Sequence, residues 1–395
     1  MLMDPSPADR TGARENAARG RAGKWSLALS VGAILVATIT PVPGQPTLPV
    51  SWCLVCGEHG TADAVANLLL FLPLGVACAL AGWRPLSAVL GAALLSAAVE
   101  TVQYALPGRD PSLGDVLCNT AGAALGVYAT AAALRRRGRP LPAWTPLACA
   151  TAVLAAVLAA GALLCPLPPL GDYYATWTVG PEHLDVYDGR VLRVTLSSMP
   201  LPDSRLADAA TIAGLLRDGA PLEVRAVAGP PPDRLAPLFD IFTGSQEEVM
   251  LLGFDGSDVV YRLRRASKAL RLNEPDLRMR GAATGIAPRS PMTVRVWREQ
   301  DGFCIAVNAR EHCGFGWTPG RLWAVVFYET RLGGQVGALL DAVCVGLLLL
   351  PVSLTLRRDA WSVAGVGLAA AALLLVPPSC SRAWSPPTAA SAPDA

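Results

Sequence analysis

The sequence predicts a polytopic α-helical membrane protein, with about seven transmembrane helices, into which an all-β sandwich is inserted. Three observations predict it. Apolar side chains make up 52% of the 395 residues, charged ones only 16%, and mean hydropathy is +0.39, too apolar for an ordinary soluble domain. The apolar residues gather in runs of about 18–22, the length an α-helix needs to cross a hydrocarbon core. One long stretch, residues 167–332, breaks that pattern and alternates apolar with polar residues at period two.

The elements follow in order. Residues 1–24 form a basic leader carrying Arg10, Arg14, Arg19, Arg21 and Lys24, and the first span, Trp25–Thr40, reads as either a signal peptide or an uncleaved anchor. The long leader, with no small-x-small cleavage pattern before Pro41, favours the anchor. Spans Ala64–Gly82, Leu86–Leu106 and Leu113–Leu134 complete a helical membrane domain over residues 25–135. Residues 136–166 hold a loop and a fifth span, Leu147–Cys165. After the β insert, residues 333–378 supply two more helices, Gln335–Leu356 and Ala360–Val376, and the Pro-, Ser- and Ala-rich tail 379–395 is expected to be disordered.

Orientation comes from the basic residues in short loops, which are retained on the cytoplasmic side. The leader, Arg84, the cluster Arg135, Arg136, Arg137 and Arg139, and the pair Arg357 and Arg358 all fall on one side. The opposite side carries nothing basic from Pro41 to Asp63, then Arg109 and Arg382. A multi-pass plasma-membrane protein with a cytoplasmic N-terminus and an extracytoplasmic insert is the expectation. The net charge of +2, with basic residues beside apolar runs, excludes nucleic acid as a partner.

Within the insert, Gly189–Leu196, Leu222–Val227, Val259–Arg264 and Thr293–Trp297 alternate as half-buried strands do, and Gly, Pro and Asp turns separate them. Short strands at this spacing predict a sandwich.

Polar side chains inside apolar spans are costly and face a bundle interior or a cavity. Here they gather at one depth: Asn67 at the start of the second span, Glu100 and Gln103 at the end of the third, Asp115 and Asn119 at the start of the fourth, with Arg109 in the loop between. One reading is glue between helices, with Gly122 and Gly126 letting backbones approach closely. The other is a shared polar site in which Arg109 pairs with Glu100 and Asp115 and leaves acceptor capacity for a ligand hydroxyl or amine.

The pattern Asn67-x-x-x-Phe71-x-Pro73-x-Gly75, Glu100-x-x-Gln103, Arg109, and Asp115-x-x-x-Asn119-x-x-Gly122-x-x-x-Gly126 resembles the VanZ-like membrane proteins, named for an accessory of teicoplanin resistance. The resemblance covers about residues 25–135. It implies envelope biology and no defined reaction; the lipid or lipid-linked precursor expected as partner belongs to the reading of the polar residues as a shared site. The stretch Leu238–Gly244, Val249–Arg264 and Asn273–Leu277 is similar to concanavalin A-like, laminin-G-type jelly rolls. That resemblance implies binding of envelope carbohydrate, with Asp255, Asp258 and Asn273 as polar or Ca²⁺ ligands and Trp297, Trp177, Tyr261 or Trp317 as stacking surfaces. Against it, Asp255-Gly256 is a turn signal and strand tryptophans are commonly core residues. No other cofactor is expected, and no metal centre.

Cys304 and Cys313 lie in one predicted hairpin and suit a disulfide in an oxidising compartment. Cys53-x-x-Cys56, near His59, leaves a disulfide, a redox pair and half a metal site open. Three functions compete: a module binding glycan through the sandwich and a lipid headgroup through the membrane site, an enzyme using Glu100 or Asp115 as base on a lipid-linked precursor, and a structural or sensory anchor. The balance leans away from an enzyme, because Glu247 and Glu248 are adjacent and would point to opposite faces of a strand.

Overall fold

Four apolar segments build the first unit, and close glycine contacts hold two of them together. In the computed structural model these are α1 (Pro7–Ile39), α2 (Gly60–Leu80), α3 (Pro85–Gln103) and α4 (Leu113–Arg136). The model describes residues 7–40, 57–106, 109, 111–136, 141–178, 184–299, 302–327, 334–355 and 360–375. The chain divides into two compact units, residues 1–142 and 143–395. The predicted tail and the Cys53–Cys56 pair lie outside the described residues.

In the first unit, Gly82 takes a positive φ of 82° and lets the chain turn back after α2, and Pro85 opens α3 with the ring torsion a first helical turn wants. The basic leader is helical and continuous with the first span. A Cβ on Gly122 would sit 2.1 Å from the Leu68 carbonyl oxygen, on Gly126 2.3 Å from that of Leu72, and on Gly75 2.0 Å from that of Ala123. Hydrogen is therefore the largest substituent these three positions accept, and α2 and α4 pack backbone to backbone as small residues allow in lipid. Ile34, Phe71, Leu74, Val99, Ala123 and Val127 fill the core around them. Leu86, Leu90, Leu94, Leu117 and Leu125 stay exposed on the outside of the helices, the surface that hydrocarbon would cover.

The second unit begins with α5 (Thr145–Leu164) and ends with α8 (Gly334–Thr355) and α9 (Ala360–Leu375). Among the described residues, six helices are long and apolar enough to cross a membrane: α2 to α5, with Arg21–Ile39 of α1 and Val336–Thr355 of α8. The seventh predicted span is the helix α9, whose 16 described residues extend about 24 Å.

Between α5 and α8 lie two antiparallel sheets. One runs β1 (Tyr173–Trp177), β5 (Ala236–Thr243), β6 (Glu248–Asp255), β7 (Asp258–Leu263), β8 (Leu277–Met279). The other runs β11 (Arg310–Phe315), β10 (Gly302–Val307), β9 (Pro291–Glu299), β4 (Leu222–Val227), β2 (Arg190–Leu196), β3 (Met199–Pro200). Tyr261 on β7 meets Phe303 on β10 with ring centroids 5.8 Å apart, so the apolar faces of the sheets pack on each other. The four strands expected from alternation are β2, β4, β7 and β9. Short helices α6 (Ala209–Asp218) and α7 (Ala266–Ala269) and a 3₁₀ turn, Pro319–Val325, complete the unit.

A seam joins sheets to helices inside this unit. The Leu167 amide donates to the Arg264 carbonyl (2.9 Å) and the Ala266 amide to the Cys165 carbonyl (3.1 Å). The buried Arg265 guanidinium donates to the Leu164 carbonyl at the end of α5. On the other side, Trp323 Nε1 of the 3₁₀ turn donates to Asp341 Oδ1 of α8 at 2.7 Å, and Asn273 Nδ2 donates to the Val326 carbonyl at 2.9 Å.

Candidate polar site in the helical bundle

The end of the first unit where α1 and α3 finish and α2 and α4 begin is where every predicted membrane-site residue sits. Two helix starts place Asn67 and Asp115 beside each other, and Asn67 Nδ2 donates to Asp115 Oδ1 at 2.6 Å. Ser112 ties the turn before α4 to the Glu100 carboxylate and to the backbone of Asp115: its amide donates to Glu100 Oε2 at 3.1 Å, and its Oγ accepts from the Asp115 backbone amide at 3.1 Å. One turn deeper on α4, Asn119 Nδ2 donates to Ser96 Oγ on α3 at 2.9 Å, and Asn119 is 1% exposed. Gln103 Nε2 reaches across to the Thr38 carbonyl of α1 at 3.0 Å.

Arg109 goes elsewhere. Its guanidinium donates to the carbonyl oxygens of Ala37 and Thr40, each at 2.9 Å through Nη2, and so caps the end of α1 instead of bridging Glu100 and Asp115. The physical reason is the helix terminus: unpaired carbonyls and the negative end of the dipole attract a cation as a carboxylate does.

Two residues of the cluster escaped the sequence reading. Ser112 is one. Asp63 is the other, one turn before Asn67 on the same face of α2 and within electrostatic reach of Asp115, which also faces Glu100. The signal for Asp63 was its spacing of four from Asn67, the relation that joins Asp115 to Asn119.

Residues 16–134 match the VanZ/LLP1 family model. The whole polar cluster falls inside the match, and the helical unit is VanZ-like. No curated protein and no solved structure matches the chain.

Beyond the VanZ-like unit, the structure separates the predicted carbohydrate-site residues. Asp255 and Asp258 flank the β6–β7 turn and both hold Arg278, at 2.8 and 3.3 Å, while Asp258 Oδ1 accepts the Gly281 amide. Asn273 lies beyond the other end of β7, is 3% exposed, and is committed to the backbone of Val325 and Val326. Trp297 stands on the outward face of β9, its Nε1 donating to Glu299 Oε1 and the Arg295 guanidinium 5.3 Å from its ring centroid. Tyr261 and Trp317 are interior aromatics, the first packed on Phe303, the second under Arg265 and donating to the Pro275 carbonyl. Glu247 and Glu248 diverge onto Arg264 and Arg262.

Cys304 and Cys313 are joined across the β10–β11 hairpin. Cys165, at the end of α5, is also disulfide-bonded, which the sequence reading did not anticipate, whereas Cys78, Cys118, Cys149 and Cys344 are free.

Proposed function

We propose that this protein is a VanZ-like component of the cell envelope whose membrane cluster binds the headgroup of a lipid or lipid-linked precursor in the outer leaflet. The observation that carries this reading is the convergence of Asn67, Glu100, Ser112 and Asp115 at one end of helices otherwise lined with apolar residues. A bundle held by glycine contacts has no need of carboxylates for packing, and burying them costs free energy that a ligand interaction offsets.

Charge segregation supports the outer placement. Arg84, Arg135 and Arg136 stand at the end of the bundle opposite the carboxylates, as retention of basic residues in the cytoplasm requires. The disulfide between Cys304 and Cys313 supports an oxidising, extracytoplasmic compartment for the sheets. The sheets are then a concanavalin A-like module whose partner is an envelope glycan, with Trp297 on the outward face of β9 as the stacking surface and no Ca²⁺ required, because arginine already neutralises Asp255 and Asp258.

The test is an analysis of lipids and cell-wall precursors, with teicoplanin susceptibility, in cells lacking the protein and in cells restored with Asp115→Asn or Glu100→Gln. Binding without catalysis predicts unaltered precursor structures, altered antibiotic access, and failure of both variants to restore the parent phenotype. A changed precursor structure would instead assign a reaction to the Glu100–Asp115 pair. Full rescue by both variants would reduce the cluster to helix packing.

A further inference from the structure

Among the described residues, the cluster holds more hydrogen-bond acceptors than donors, and this imbalance bears on what can enter it. Three carboxylates line it: Asp115 is within electrostatic reach of both Glu100 and Asp63. Among the described residues, the groups that donate to Glu100 and Asp115 are the Asn67 side-chain amide and the Ser112 backbone amide, with the Ser112 hydroxyl beside Asp115. The nearby cation, Arg109, is turned onto the carbonyls of α1.

Helix ends account for part of this charge. Asp63 and Asp115 lie in first turns, where the dipole favours an anion. Glu100 does not fit that account, since it sits in the last turn of α3, where the dipole opposes it.

A second, separate observation lies at the floor of the cluster. Asn119 is one turn below Asp115 on α4, and Ser96, its partner, is one turn before Glu100 on α3. Its Oδ1 is buried and has no hydrogen-bond partner among the described residues. An acceptor in that position costs free energy until a donor reaches it.

Resting on the headgroup reading above, we propose that the site takes a hydrogen-bonding ammonium: a protonated primary amine carried by a lipid headgroup or by a free molecule, and not a phosphate. Anions would meet three carboxylates. A dehydrated divalent cation is poorly matched, because among the described residues Asp63, Glu100 and Asp115 do not bring three carboxylate oxygens within 4.8 Å of one another. An ammonium group needs no such convergence; its three N–H donors spread toward separate acceptors.

The full-length protein, reconstituted in nanodiscs of phosphatidylcholine doped with phosphatidylethanolamine or phosphatidylglycerol, tests this by native mass spectrometry of retained lipid. Phosphatidylcholine has the charge without the N–H donors. The parent should retain phosphatidylethanolamine about tenfold over phosphatidylcholine, the difference one charge-assisted hydrogen bond makes, and E100Q with D115N should remove the preference. Millimolar ethanolamine competing to the same extent would name a free amine as the source, within the proposal; no competition would name the lipid.

Equal retention of the three lipids, or preference for phosphatidylglycerol, overturns the ammonium assignment. If that retention still falls in the double variant, the headgroup site survives without it. If the double variant changes no lipid's retention, the site itself fails. The parent comparison needs no variant to fold.

Discussion

Asp240 is a carboxylate inside a sheet. It is 1% exposed on β5, opposite Leu251, and its Oδ1 has no hydrogen-bond partner among the described residues. Burial, then the neighbouring Glu248, holds its carboxyl well above the usual range, with Arg262 pulling the other way. The folded state therefore binds this proton more tightly than the unfolded chain. Its stability is undiminished below the ordinary carboxylate pKa of about 4 and is lost as pH rises toward the raised value. Asp240→Asn should stabilise the full chain at neutral pH, by on the order of 1–3 kcal/mol, and should leave it unchanged near pH 3. Denaturant unfolding in detergent across pH measures it; a gain that does not vary with pH would refute the cause.

At the scale of elements, two contacts carry much of the architecture. The α2–α4 interface depends on hydrogen at Gly122, 2.1 Å from the Leu68 carbonyl if a Cβ is added. Gly122→Ala should therefore push the helices apart and cost about 1–3 kcal/mol as overpacking does, read as a lower midpoint of thermal unfolding. An unchanged midpoint would mean the helices part freely there.

Arg265 is the second contact. It caps α5 through the Leu164 carbonyl and lies over the Trp317 ring at 3.1 Å, and burial lowers its guanidinium to about 9. Arg265→Ala leaves a cavity and an uncapped helix end, a loss of about 3 kcal/mol or more. Hydrogen exchange should accelerate at 164–169 and 264–273 first. Acceleration confined to the 3₁₀ turn would place the seam elsewhere.

For the whole molecule the prediction is topological. With the leader in the cytoplasm, the sheets between α5 and α8 lie outside, and exposed Ser204 is accessible there. A Ser204→Cys variant should react with a membrane-impermeant maleimide in intact cells. Reaction only after lysis would invert the orientation and move the polar cluster to the inner leaflet.

The sequence alone determined the class of the molecule, because a long apolar run has few other fates: all seven predicted spans are helices, and α2 to α4 begin or end within four residues of expectation. It also determined β2, β4 and β9, whose alternation reflects one face meeting water, and β7, whose residues Val259, Val260 and Tyr261 are buried on both faces although its sequence alternates in part. β5 and β6 were legible only through a family resemblance; with residues such as Leu238, Phe239, Leu251 and Leu252 all buried, both faces are covered and no alternation is left to read. For the candidate site, Asn67, Glu100, Asp115 and Asn119 stood out as polar residues in apolar spans, and their shared depth followed from helix direction. Tertiary structure decided the partners. Arg109 caps α1 and leaves the carboxylates, Asn119 turns to Ser96, and Ser112 joins through its backbone, because hydrogen-bond geometry depends on how helices cross, which spacing along one helix does not encode.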